Sequence, residues 1–85
     1  MSITSSQIRA AKAMLRWSGE DLATKSGVSL SSIRRMEAAD GVPQGHTLKT
    51  ILAIKSAFEV AGVEFVGLPD DKPGVRLSLT ASRRQ

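Results

Sequence analysis

The sequence predicts a mostly α-helical fold, a bundle of four helices followed by a C-terminal two-stranded β-hairpin. Three observations carry that reading. Apolar residues recur at helical intervals from Ile8 to Leu15 and again from Leu48 to Ala61, serine or threonine stands just ahead of each helical run, and beyond Gly62 the pattern changes to alternation with a period of two. At 85 residues the chain suffices for one small domain with a modest core. It has no cysteine, which removes a disulfide frame and a thiolate metal site and suits a reducing cytoplasm.

The first helix is expected from Ser5 to about Arg16. Thr4 and Gln7 have the spacing of a capping box, and Ile8, Ala11, Met14 and Leu15 form its stripe. Trp17 closes the segment and reads as a core anchor rather than a stacking platform for a base. Ser18 then caps a second helix with Asp21 three residues on, and Leu22 and Ala23 supply its apolar side. Gly27 stops it, since only glycine takes a left-handed backbone at a helix end without steric cost. Ser29 caps a third helix, Leu30 to about Ala38, so the intervening turn is about three residues long and the pair reads as a helix-turn-helix.

At about 100° per residue, Ile33 and Met36 fall on one side of the third helix and Ser31, Arg34 and Arg35 on the other, with Leu30 and Glu37 flanking. Ala39 to His46 reads as a loop, marked by Asp40-Gly41 and Pro43. Thr47 caps a fourth helix with a broad apolar side of Leu48, Ile51, Leu52, Ala53, Ile54, Phe58 and Ala61, ended by Gly62. After it, Val63 and Phe65 alternate with Glu64 and Val66, and Val75, Leu77 and Leu79 with Arg76 and Ser78. That predicts two strands joined by a loop from Leu68 to Gly74. An isolated ribbon is marginal in water, so it must either fold back on the helices or pair with a second chain, and both remain open. The expected division is therefore residues 1–62 as the helical domain, 63–80 as a hairpin extension available for dimerisation, and 81–85 as a basic tail.

The order of residues also resembles a known family. Trp17-Ser18-Gly19-Glu20-Asp21-Leu22-Ala23, Ser26-Gly27-Val28-Ser29 and Ile33-Arg34-Arg35-Met36-Glu37-Ala38-Ala39-Asp40-Gly41 are similar to the helix-turn-helix domain of phage Cro and cI repressors and bacterial XRE-type regulators, over roughly residues 5 to 61. The resemblance implies a lambda-repressor-like fold, double-stranded DNA as partner, and a homodimer. It also implies that Lys12 and Glu37 occupy the places of a basic residue and a glutamate that the family pairs structurally. The family often carries a glutamine after the second helix's cap, where this chain has Gly19, so a phosphate contact there must come from the amide. The fourth helix looks longer than its counterpart, and the family's short fifth helix has no clear equivalent.

The chemistry of groove reading suits the residues of the third helix. A helix fits the major groove, where every base pair shows a distinct pattern of donors, acceptors and methyls to side chains near the helix start. Leu30, Ser31, Arg34 and Arg35 are therefore the expected base contacts. Arg35 has the planar fork for guanine O6 and N7, and Ser31 can donate or accept. Leu30 suits a thymine methyl or simple packing against the second helix, and Arg34 suits a base or a phosphate. Helix starts carry unpaired amides and a positive dipole end, so Ser18, Gly19, Val28 and Ser29 are expected near phosphates, with Lys12, Gln44, His46 and Lys49 as further backbone contacts.

A formal charge of +4 suits a polyanion, but both halves carry six basic and four acidic side chains, so the case rests on where cations point rather than on charge itself. His46 is the only histidine and makes no zinc site, and no nucleophile and base, phosphate-cradling loop or carboxylate pair stands out. Neither enzyme activity nor a metal or cofactor is expected. Met1 to Ala10 lacks the apolar core of a signal peptide and no run approaches the ~20 apolar residues of a membrane span, so a cytoplasmic protein is expected; the resemblance implies one that is bacterial or phage-encoded and nucleoid-associated. The leading function is a sequence-specific transcriptional regulator, a repressor in the simplest case, bound as a homodimer to an inverted repeat. The alternative is a protein-binding antitoxin or antiactivator that holds a protein partner through its C-terminal strands.

Overall fold

The computed structural model describes residues 3–39, 41–42 and 45–78. Four helices, α1 (Ser5–Leu15), α2 (Gly19–Ser26), α3 (Leu30–Ala38) and α4 (Leu48–Val60), precede two strands, β1 (Val63–Leu68) and β2 (Asp71–Leu77), which pair antiparallel. Each helix start is capped by its own sequence: the hydroxyls of Thr4, Ser18, Ser29 and Thr47 accept from the amides of Gln7, Asp21, Ser32 and Thr50. Each such cap satisfies an amide that the helix cannot. The first helix ends at Leu15 rather than Arg16, because Arg16 turns into the left-handed region at φ 56° and sends its amide back to Ala13 and Lys12.

The core forms where the buried stripes converge. Ile8 and Ala11 of α1, Leu22 of α2, Ile33 and Met36 of α3, and Ile51, Ile54, Ala57 and Phe58 of α4 are buried together with Ile3 and Val63. Phe58 is its centre: Trp17 stacks on it at 5.5 Å between ring centroids, and Phe65 of β1 meets it edge-on at 5.9 Å. Trp17 is thus packed against the core. Three expected stripe members are not. Leu48 and Leu52 are 62% and 43% exposed, since at about 100° per residue they lie roughly 120° and 160° round α4 from the fully buried Ile54, and Met14 is exposed on the flank of α1.

The hairpin docks on its own helices. Val63 opposite Leu77 and Phe65 opposite Val75 face inward, while Glu64 and Arg76 form a 3.0 Å ion pair on the other face. The side-chain amide of Gln7 fastens the two parts. Its Oε1 accepts from the Thr4 amide at 2.8 Å as half of the capping box, and its Nε2 donates to the carbonyls of Val66 and Gly74 at 3.3 and 2.9 Å. One buried side chain therefore completes a helix start and holds both strands.

The strands run further than the sequence predicts, and the loop expected from Leu68 to Gly74 is replaced by a tight connection at Pro69–Asp70. Both strands of a two-stranded sheet are edges, so the missing amide of Pro73 need break no ladder bond. The register shifts between Val66 and Leu68, with Gly67 and Lys72 at φ 77° and 55°, so a bulge absorbs the extra residue. A Cβ on Gly67 would lie 2.1 Å from the Lys72 carbonyl oxygen. Gly67→Ala is accordingly expected to destabilise the protein by about 1–3 kcal/mol, read as a lowered urea midpoint with faster amide exchange in the hairpin. Leu79, expected in the second strand, and the tail 81–85 lie outside the described residues, as do Asp40 and Pro43 of the expected loop.

Candidate nucleic-acid interface

The turn between α2 and α3 is stitched by short-range hydrogen bonds. Ser18 Oγ accepts from the Asp21 amide at 3.0 Å, and the Asp21 carboxylate accepts from the Ser18 amide at 2.9 Å, completing a second capping box. Gly27 ends α2 at φ 76° and its amide donates to the Ala23 carbonyl at 2.9 Å. Ser26 Oγ donates to the Leu22 carbonyl at 2.7 Å and accepts from the Val28 amide at 3.2 Å, so the chain leaves α2 in a fixed direction. Ser29 then starts α3 by accepting from the Ser32 amide at 3.3 Å.

Packing decides which side of α3 faces out. Ile33 and Met36 are fully covered, whereas Ser31, Arg34 and Arg35 are exposed. Among the described residues the Arg35 guanidinium makes one long contact, 3.4 Å to Ser32 Oγ, and neither Arg34 nor Arg35 is in an ion pair. The far end of α3 is held by α1. Ser5 Oγ donates to the Met36 carbonyl, Arg9 Nη1 donates to the Glu37 carbonyl, and Lys12 Nζ lies 2.8 Å from Glu37 Oε1. The first two satisfy carbonyls of the last turn, and the third pairs the Glu37 side chain. The result is a short helix clamped at its C-terminal end, with two exposed cations on its outward face.

That geometry is the one a groove-reading helix requires, and comparison with known proteins agrees with it. A helix-turn-helix family model matches residues 8–54, more than half of the chain. The chain belongs to the Cro/cI-type (XRE) helix-turn-helix family. Members of this family are DNA-binding transcription regulators, and DNA is the partner of this one. The match ends inside α4, so the hairpin lies beyond it. A comparison with curated proteins finds no match.

In this helix-turn-helix regulator Ser18 and Ser29 are exposed at the starts of α2 and α3, with Gly19 and Val28 half-buried beside them. Leu30 is half-buried and lies over Gly19, where a Cβ would come within 2.9 Å of its Cδ1. Lys49 is exposed in the first turn of α4 and His46 is half-buried just before it. Neither hydrogen-bonds or ion-pairs to α3 among the described residues, and Gln44 lies outside them. Arg9, which donates to the Glu37 carbonyl, is a contact to α3 that the sequence reading passed over. Its signal was its place one helical turn before Lys12, which sets both cations on one face of α1, toward α3. Among the described residues no cluster of histidine, aspartate or glutamate could hold a metal, and no helix is long and apolar enough to cross a membrane.

The Lys12–Glu37 pair is mostly covered, its side chains 19% and 17% exposed. Lys12→Ala would leave the Glu37 carboxylate covered with no ion-pair partner. It is expected to cost about 1–2 kcal/mol by denaturant titration, well short of a fully buried pair. Glu37→Gln in the same background should recover part of that loss.

Proposed function

We propose that the protein is a transcriptional repressor that binds an inverted-repeat operator as a homodimer and lays α3 in the major groove of each half-site. The observation that carries this reading is the outward face of α3, where Ser31, Arg34 and Arg35 stand exposed opposite the buried Ile33 and Met36. Arg35 reads guanine through its two-pronged donor set, Ser31 reads an adjacent base, and Arg34 meets a base or a phosphate. The amides of Gly19 and Leu30, at the positive ends of α2 and α3, meet the sugar-phosphate backbone with Ser18, Val28 and Ser29. Lys12, His46, Lys49 and Gln44 add charge or hydrogen bonds to phosphates further along.

Dimerisation fits the apolar surface that remains. The inner face of the hairpin is covered by the protein's own helices, while Leu48, Leu52 and Val60 of α4 are exposed, and a second copy would cover apolar positions of this kind. Output is then steric, through occupancy of a promoter, and set by the protein's own concentration because assembly and binding are linked by mass action.

Selection of bound fragments from a random duplex pool at two salt concentrations tests this reading. The expected product is a pair of inverted half-sites about one helical turn, ~34 Å, apart, and affinity should fall with salt in proportion to the phosphates engaged. An unenriched pool, or a single half-site bound by a monomer in sedimentation velocity, would overturn it.

A further inference from the structure

We propose that Gly19 is a specificity-determining residue of the DNA interface although it faces no base: its missing side chain lets Leu30 lie back against α2, out of the groove. This rests on the assignment of α3 as the reading helix. Gly19 opens α2 and Leu30 opens α3, and the short turn sets these two helix starts side by side. A Cβ on Gly19 would lie 2.9 Å from Leu30 Cδ1, whereas two carbons pack no closer than about 3.5 Å. The backbone does not demand glycine here. Gly19 is not among the positive-φ residues, and glycine inside a helix is less favourable than alanine, so what the residue supplies is room.

Leu30 is free to respond. The partly buried apolar side chains that support the core are Leu15, Trp17, Ala23 and Val28 from the helices and Phe65, Val75 and Leu77 from the hairpin, so displacing Leu30 opens no gap there. The atom nearest the missing Cβ is the tip of a flexible side chain, and no backbone atom lies within 4 Å of that Cβ among its nearest neighbours. A methyl at position 19 therefore turns Leu30 away from α2 at little cost. The open side is the exposed one it shares with Ser31 and Arg34. There Leu30 meets the 5-methyl of thymine, the one apolar feature of a major-groove edge.

Two readouts test the proposal. In the free protein, the leucine methyl NMR shifts, which report the side-chain rotamer, are expected to change for Leu30 in Gly19→Ala. In parallel random-duplex selections, Gly19→Ala is expected to gain thymine at one base pair of each half-site relative to the unaltered protein. Replacing that thymine by deoxyuridine should then weaken Gly19→Ala by about three- to four-fold, the worth of one buried methyl, and leave Gly19→Ala/Leu30→Ala unaffected. Identical selected pools, or deoxyuridine sensitivity that persists in the double variant, would overturn the inference. If the unaltered protein selected no sequence, the reading-helix assignment would fall and this inference with it. An unchanged Leu30 rotamer beside intact selection would refute the role of Gly19 alone.

Discussion

Phe58→Ala is expected to remove about 3–5 kcal/mol of stability, most of what a domain of this size possesses. Phe58 is fully buried, and it joins elements that no other single side chain joins through ring contacts: Trp17 stacks on one side and Phe65 of β1 abuts the other. Truncation would leave a void between helices and hairpin, and the surrounding rings, fixed at helix and strand positions, can close it only in part. The midpoint of thermal unfolding should fall by about 12 °C or more, given roughly 4–8 °C per kcal/mol in domains of this length. Trp17 is the only tryptophan, so its fluorescence during urea titration reports on this contact directly. A loss below about 1 kcal/mol would show that the rings do not hold the two parts together.

The second large effect concerns DNA. Arg35→Ala is expected to reduce discrimination at one base pair by about 1–3 kcal/mol, and Arg34→Ala/Arg35→Ala to abolish selective retention of the operator. Neither side chain supports the fold, since both are exposed and, among the described residues, outside any ion pair, so stability should change by no more than about 0.5 kcal/mol. That separation distinguishes a contact residue from a structural one. Lys12→Ala, by contrast, should weaken binding to all sequences alike. Unchanged promoter occupancy in the double arginine variant would remove the groove-facing assignment and favour a protein-binding role.

Features built from neighbours in the chain were legible before any coordinates. The capping boxes at Thr4/Gln7 and Ser18/Asp21, the stop at Gly27 and the start at Ser29 each depend on a few consecutive residues, and the structure shows all of them. The outward set of Ser31, Arg34 and Arg35 followed from helical angle alone. Other features depend on what lies across space. Ile3 is buried, yet a single residue ahead of a helix has no periodicity to betray it. Spacing assigned Leu48 and Leu52 to an apolar side but could not say that nothing in the chain covers them. Pro73 and Gly74 read as loop because they are poor in central strands, and a bulged edge tolerates both. Arg9 and the carbonyl of Glu37 lie 28 positions apart, a contact that only the packed helices create.

The amide of Gln7 ties the melting of two distant parts into one event. Freeing the strands leaves it without two acceptors, and loosening it frays the first turn of α1, the turn whose Ser5 grips the carboxyl end of α3. Exchange protection at the Thr4 and Ser5 amides and along β2 should therefore rise and fall together. A disturbance at the hairpin would thereby reach α3 from behind, on the side opposite its exposed arginines.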